Sequence, residues 1–522
     1  MSRSKPWAAG VLAACLAIGC GPRRPPDILV VTVDTLRADR VGAYGHAGAR
    51  TPAIDGLARQ GILFGQATTP FPRTTPALAS MLTGLWPHHH GCREVGRPMS
   101  DSVPATLAEV LGAHGYHSAA VTGNGAAGRR QGLHRGFAVF VDAPDLPGPR
   151  AVHVTRAAIQ LLDSAPRGRS LFLWVHYVDP HFPYSPPKGF RDQPKAPACH
   201  QLMARLVHKK TTLSAIQGDQ DGASSAALPD CRALYDAEVA YADQEVGLLL
   251  AAWRKGSGSQ SVIVFSSDHG ENMGEDGLFY EHGPSVHDAS LRVPLIIAGV
   301  GRAGRRDDGV ARLEDLPPTL LSLAGVPRER WPAMDGADLS ERITGVSAGQ
   351  GGAPRAAFAE SGSHLKVDSY AAVRSGNQNR ETCVNGPRFS LCESQRWPAP
   401  RLFDHVADPE RRNDLSRRYP DEVRRLAEAA ARWPVYETRQ RTLRTPRFKL
   451  VERPRLEGGY AAALFDLRSD PGESRDIAAG HAAEVERLGE ALQAWARGIS
   501  AAAQKAHTLE ELEQLQALGY ID

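Results

Sequence analysis

Apolar runs of strand length alternate with amphipathic stretches from residue 27 to about 330. The runs DILVVTVD (27–34), LFLWVHYVD (171–179), SVIVFSSD (261–268) and VPLIIAGV (293–300) predict strands buried within a sheet. Between them, TPAIDGLARQG and VPATLAEVLGAHG carry Pro in the first turn and Gly past the end, a pattern that predicts helices. LYDAEVAYADQEVGLLLAAWRK (234–255) predicts a longer amphipathic helix. Strands separated by helices imply an α/β domain around a mostly parallel sheet. Pro, Gly and Ala accumulate at 345–355, which reads as a linker. Beyond it come short strands such as YAAVRSG and RFKLVERP, then helices.

One internal echo stands out in that second region. LFDHVADPERRND begins at Leu402 and LFDLRSDPGESRD at Leu464, with aspartates at matching offsets. Two copies of one turn-plus-helix-start unit would explain it, and so would chance similarity between two Asp-Pro turns.

The amino terminus adds a location. MSRSKPW carries two cations, AAGVLAACLAIG supplies an apolar run, and AIGC ends at Cys20. That layout predicts a signal peptide over 1–20, with Cys20 either the acylated cysteine of a bacterial lipobox or incidental to ordinary secretion. The protein is expected outside the cytoplasm, in the periplasm or lipid-anchored at the cell envelope. No later segment reaches transmembrane length, so membrane contact is expected only through the N-terminal anchor. Five of the seven cysteines remain in the mature chain. Export makes disulfides possible, and the spacing allows Cys383–Cys392 and Cys199–Cys231, leaving Cys92 as a buried small residue.

Composition narrows the chemistry. The 522 residues are 42% hydrophobic, ample for a core, and the net charge of +3 gives no reason to expect nucleic acid as a partner. Three of the predicted strands end on Asp34, Asp179 and Asp268. In open parallel sheets, ligands sit outside the carboxyl ends of the strands, so these residues would gather at one rim. His176, His181, His269 and His282 fall around them. Carboxylates and imidazoles on one rim make a metal site, although a single Asp at a strand end also serves as a turn or helix cap.

The segment PFPRTTPALASMLTG (70–84) predicts a helix that starts near Pro76, with Thr74 or Thr75 at its N-terminus. A hydroxyl placed there is either a helix cap or a group facing an anionic ester across the positive end of the helix.

Together these segments resemble the sulfatase branch of the alkaline phosphatase superfamily. DILVVTVDTLRADRVGAYG, TPAIDGLARQGILFGQATT, TTPALASMLTGLWPHHHG, FSSDHGENMGEDGLFYEHG and LRVPLIIAGVG look like successive blocks of that family, in its order. DLPPTLLSLAGVP, LFDLRSDPGESRDIA and LQALGYID resemble its bacterial members. The resemblance implies an alkaline-phosphatase-like α/β/α sandwich around a large mostly parallel sheet. A catalytic domain over 27–344 would then be followed by a smaller C-terminal α+β subdomain over 356–522, with a small sheet and terminal helices.

It also implies that Asp34, Asp268 and His269 are metal ligands and that Thr74 falls on the nucleophile of the Cys/Ser-x-Pro-x-Arg motif. Four positions depart from the family. Thr74 stands in place of the cysteine or serine matured to formylglycine, and threonine is not a substrate for that maturation. Leu78 replaces the motif's arginine, which leaves open whether Arg73 reaches the same space. Thr35 replaces the second aspartate of the usual pair. Around VTGNGAAGRR (121–130) the family's lysine and histidine are missing. Sulfatases expel sulfate through the second hydroxyl of the hydrated aldehyde, a route closed to a threonine ester.

Threonine nucleophiles with an Asp/Glu, Thr, Asp, His metal set are used by the related phosphoethanolamine transferases and lipoteichoic acid synthases. Those enzymes carry several transmembrane helices. Their similar block aligns His282 with a histidine that contacts the phosphoryl group.

The expectation is therefore an exported, metal-dependent ester hydrolase that acts as a phosphodiesterase or phosphoryl transferase. Asp34, Thr74, Asp268 and His269 would hold one divalent ion (calcium, magnesium, manganese or zinc). Thr74 would act as nucleophile, with His282, His176 and His181 on the ester, and the substrate would be a small-molecule, glycan or lipid ester. The alternatives are a sulfuric ester hydrolase and a catalytically inactive binding lipoprotein on the same fold.

Overall fold

The computed structural model describes residues 24–190, 195–208, 216–219, 222–257, 260–345 and 355–361. Beyond these it describes 365–367, 370–372, 381–385, 388–394, 399–404, 407–408, 413–432, 439–454, 459–497 and 499. The expected signal segment with Cys20, and nearly all of the expected linker, lie outside the described residues. Among the described residues, no helix is long and apolar enough to cross a membrane.

The first region builds one eight-stranded sheet. Its strands are β1 (Asp27–Val33), β2 (Gly61–Thr68), β3 (His117–Thr122), β4 (Val139–Val141), β5 (Leu171–Tyr177) and β6 (Ser261–Ser267). After the small hairpin β7 (Asn272–Met273) and β8 (Phe279–Glu281) come β9 (Leu295–Ala298) and β10 (Arg305–Arg312). The order across the sheet is β10-β2-β9-β6-β1-β5-β3-β4. β1 is central and buried along its whole length. Its alternate residues feed two cores. Leu29, Val31 and Val33 face the helices Ala151–Ser164 and Ala223–Gly256. Ile28 and Val30 face the opposite layer, which contains the helices Thr74–Thr83, Leu107–Ala113 and Leu316–Leu323. Two covered faces explain why the strands read as unbroken apolar runs.

Three expectations about these elements need correction. VPLIIAGV does form a strand, but β9 runs antiparallel to both β2 and β6. A parallel return needs a crossover over the sheet face, whereas the chain between β6 and β9 stays at the rim and builds the β7–β8 hairpin. The helix read from Pro104 begins instead at Leu107, because Thr106 and Glu109 form a reciprocal capping box. The long helix starts at Ala223 and passes through Pro229, where tertiary packing of Ala227, Cys231 and Leu234 outweighs the local break. Cys199 and Cys231 are disulfide-bonded, tying this helix to the helix Pro197–Val207, and Cys92 is a buried thiol.

The C-terminal region carries a four-stranded antiparallel sheet of β11 (Ala357–Glu360), β17 (Arg441–Arg444), β18 (Phe448–Pro454) and β19 (Tyr460–Asp466). Between β11 and β17 lie β12 (Leu365–Val367), β13 (Tyr370–Ala372), β14 (Glu381–Asn385), β15 (Phe389–Ser394) and β16 (Arg401–Asp404). Register sets Cys383 opposite Cys392 on β14 and β15; their side chains lie outside the described ones. The echo between the two LFD segments is structural. Leu402 N donates to Asp414 at 3.3 Å and Leu464 N to Asp476 at 2.9 Å. Leu415 N donates to Leu402 O, and Ile477 N to Leu464 O. Each unit ends one strand and leads into a helix, Pro420–Arg432 or Ala482–Ala496, that packs on its sheet.

Candidate active site

Register at the centre of the sheet builds the site. Val33 pairs with Ser267 on one side and Tyr177 on the other, so the next residues, Asp34 and Asp268, leave the rim side by side. Thr35 then turns the chain with φ of 53°, and its N–H donates to Asp268 Oδ1 at 3.2 Å. His269 N donates to the same oxygen at 2.9 Å. Asn124, at the end of β3, donates its amide to Asp34 Oδ2. Each carboxylate thus has one oxygen tied down. The other oxygens, Asp34 Oδ1 and Asp268 Oδ2, are buried and have no hydrogen-bond partner among the described residues.

Two histidines close on these carboxylates. His176 Nε2 stands 3.7 Å from Asp34 Oδ2 and is likewise without a hydrogen-bond partner among the described residues. Its Nδ1 lies 2.9 Å from Thr32 Oγ1, which also accepts from Trp174 Nε1 at 3.0 Å. His269 Nδ1 lies 2.9 Å from Gly270 O, an acceptor, so the proton sits on Nδ1 and Nε2 offers its lone pair. That nitrogen is 3.8 Å from Asp34 Oδ1, 3.4 Å from Asp268 Oδ2 and 3.3 Å from Thr74 Oγ1. Asp34, His176 and Asp268 each place one ligand atom within 4.8 Å of the others.

Unsatisfied buried oxygens and nitrogens that converge are costly unless something fills the space. A divalent cation fits this donor set of carboxylate oxygen and imidazole nitrogen. Asp34, Asp268, His176 and His269 would hold it, with Thr74 Oγ1 alongside. His176, expected on the ester, stands with the carboxylates.

Electrostatics follow the same geometry. Burial raises the Asp34 carboxyl, but the facing imidazoles of His176, His181 and His269 more than offset this and bring it to about 2. Burial, and then the charge of Asp34, push Asp268 well above the ordinary carboxylate range. Two carboxylates facing one space cannot both ionise cheaply without a cation. Burial lowers His269 and His181, and drives His282 well below the ordinary imidazole value, with His269 and His181 adding to the effect on His282.

Thr74 is the first residue of its helix, with Arg73 in the cap position in extended geometry. The two threonines divide their tasks. Thr75 Oγ1 donates to Ala126 O at 2.7 Å and accepts from Gly96 N at 2.9 Å, a structural role. Thr74 faces the metal-ligand group. His282, at the end of the hairpin, stacks on His269 with centroids 4.4 Å apart, and His181 meets it edge-on at 5.1 Å. Four predicted residues, Thr74, His181, His269 and His282, therefore share one space with Asp34 and Asp268.

Asp179 does not join them. Its Oδ2 accepts from Ala151 N at 2.8 Å and its other oxygen lies 3.5 Å from Arg150, so it caps a helix two residues beyond the strand end. His90 is structural, 3.0 Å from Ser80 Oγ.

Sequence reasoning passed over Asn124 and Glu271. Glu271 Oε1 lies 3.4 Å from His282 Nδ1, and its other oxygen accepts from Tyr184. Its signal was present in the SDHGE stretch. Asn124 was hidden in VTGNGAAGRR, where only its place at the end of a strand marks it.

With this geometry established, comparisons place the chain among known proteins. A family model described as Sulfatase matches residues 26–326, more than half of the chain. The chain is 27% identical over 473 residues to arylsulfatase A of Homo sapiens, covering 76% of this chain and 85% of that protein. It is 27% identical over 451 residues to choline-sulfatase of Rhizobium meliloti, covering 74% and 81%. Among solved structures, a phosphonate monoester hydrolase of Agrobacterium radiobacter shares the fold at a TM-score of 0.62 and 21% identity, over 91% of this chain and 96% of that one.

Proposed function

The chain belongs to the sulfatase family of ester hydrolases, and from that premise we propose that it cleaves phosphate diesters through a covalent intermediate on Thr74. One observation carries this reading. An unmodifiable hydroxyl, Thr74 Oγ1, stands 3.3 Å from the His269 nitrogen that faces both carboxylates, at the position where the family places its nucleophile.

A divalent ion held by Asp34, Asp268, His176 and His269 would supply Lewis-acid polarisation of the ester and lower the pKa of the neighbouring hydroxyl. The chain's own residues do the rest. His269 Nε2 lies 3.3 Å from Thr74 Oγ1, so the residue that would hold the ion also stands beside the attacking hydroxyl. Thr74 forms a bond to phosphorus as the first alcohol departs with a proton. Water then displaces Thr74, giving a phosphate monoester and restoring the hydroxyl. The alcohol that leaves first needs that proton, and His282 and His181 are the groups placed to shuttle it. His282 is neutral near pH 7, so it acts as a hydrogen-bonding and proton-relay group rather than as a fixed charge.

The names of the relatives favour a second reading, hydrolysis of a sulfate ester. Against it stands Thr74, because a threonine sulfate has no second hydroxyl to expel sulfate. We place the reaction outside the cytoplasm on the strength of the N-terminal pattern, and expect a small-molecule, glycan or lipid ester as substrate. The deciding experiment incubates the metal-loaded protein with a nitrophenyl phosphodiester, then measures intact mass and maps peptides. A phosphoryl adduct on Thr74, absent in Thr74→Ala, supports the diesterase. Turnover of the matched sulfate ester alone would sink it.

A further inference from the structure

Leu78, where the family motif carries arginine, is fully buried in the apolar core, so the charge that binds the anionic ester must come from elsewhere. Arg73, a cationic side chain, is also buried. Among the described residues its one ion-pair partner is Glu281, with Nη2 3.4 Å from Oε1, and its Nε has no hydrogen-bond partner. One long contact does not repay the desolvation of a buried cation.

The position of this cation is informative. A Cβ at Gly283 would stand 2.2 Å from Arg73 Nε and 2.5 Å from Cζ, so the guanidinium lies directly against the backbone beside His282. Gly283 itself has φ of 111°, which favours glycine. Arg73, next to Thr74 in the chain, therefore lies beside His282, whose ring stacks on the His269 that faces Thr74 Oγ1.

We propose that Arg73 binds the nonbridging oxygens of the tetrahedral anion cleaved at Thr74, and that Glu281 is the competing carboxylate that holds the guanidinium until an anion arrives. This inference rests on Thr74 marking the reacting centre. The planar fork of guanidinium matches two oxygens of a phosphate, phosphonate or sulfate group, which a lysine would bind only as a point charge.

The test measures binding of inorganic phosphate and of sulfate to the metal-loaded protein by calorimetry, for wild type, Arg73→Lys, Arg73→Met and Glu281→Gln. Arg73→Met should weaken phosphate binding about tenfold to a hundredfold, as expected for loss of a charge-assisted hydrogen bond. Arg73→Lys should recover part of it. Glu281→Gln should tighten binding, a direction that misfolding cannot imitate, and it decides the matter should Arg73→Met fail to fold. Unchanged phosphate affinity in folded Arg73→Met, or weaker binding in Glu281→Gln, overturns the proposal and leaves Arg73 as a structural partner of Glu281. Anion binding needs no turnover. If anion binding follows Arg73 while no adduct forms on Thr74, only the covalent chemistry fails. If the adduct forms while binding ignores Arg73, only this inference fails.

Discussion

Arg93 grips Glu360 through two parallel hydrogen bonds, Nε to Oε1 at 2.6 Å and Nη2 to Oε2 at 2.5 Å, with both side chains buried. The pair joins β11 of the C-terminal sheet to the chain that follows the Thr74 helix. The same junction runs up to the site. Glu360 N donates to Pro70 O, and Arg439 lies over the Phe71 ring while donating to Arg93 O. The C-terminal sheet thus supports, from behind, the loop that delivers Thr74.

This junction should be sensitive to acid. Burial raises the Glu360 carboxyl, but Arg93 and then Arg439 outweigh it and hold the group at about 2, against an ordinary value of 4.5. A carboxyl depressed in the folded state contributes stability that is fully present above 4.5 and is lost as pH falls toward 2. Thermal melting of wild type and Glu360→Gln between pH 7 and pH 3 checks this. The variant should be about 3–5 kcal/mol less stable at pH 7, the cost of breaking a buried pair, and the gap should shrink toward pH 3. A gap that stays constant with pH would remove the electrostatic account.

The disulfide supplies a separate increment. Cys199 and Cys231 are 32 residues apart, and closing a loop of that size in the unfolded chain corresponds to about 3–4 kcal/mol in the entropy model. Cys199→Ser with Cys231→Ser should lower the melting temperature by that equivalent, with kcat unchanged for any ester the wild type turns over. A drop in kcat at temperatures where the variant is fully folded would show that this tie also shapes the site.

Much of the fold could be read from the chain because buried strands announce themselves. DILVVTVD, LFLWVHYVD and SVIVFSSD are apolar on both faces, and a central position in a covered sheet demands that. β10 was not legible, since its sequence RRDDGVAR is mostly charged and it gains strand geometry by pairing with β2. The antiparallel direction of β9 was equally hidden, because direction depends on where the connection runs. At the site, Asp34, Asp268, His269 and Thr74 were legible through motif and strand-end position. Asp179 misled because a strand-end aspartate and a helix cap look alike in sequence; only the fold shows that its oxygen meets Ala151 N. The placement of Arg73 against Gly283 and of Asn124 on Asp34 depends on distances that no local pattern encodes.

The ligand group predicts a metal-dependent melting temperature. Stripping with a chelator leaves Asp34 facing Asp268 with nothing between them, and Asp268 is then pushed toward its protonated form by burial and by Asp34. Resupplying the cation at 100 times its dissociation constant should stabilise the fold by about 2.7 kcal/mol. His176→Ala should weaken binding by at least about tenfold, read as metal retained after dialysis. Full retention in His176→Ala would remove His176 from the ligand group and leave Asp34, Asp268 and His269.

Replacing Asp179 and Asp268 by asparagine should separate a cap from a ligand. Asn at 179 can still accept from Ala151 N, so Asp179→Asn should cost little in stability, and Asp179→Ala about 1 kcal/mol. Neither should change the metal content. Asp268→Asn keeps an acceptor for Thr35 N and His269 N but removes the negative charge that faces the cation, so metal content should fall while the fold persists. Burial raises Asp268 well above the ordinary range, so the metal-free variant should melt no lower than metal-free wild type. Loss of metal from Asp179→Ala to the same extent as from Asp268→Asn would mean that the cap positions the ligands, and that the rim of the sheet works as one unit.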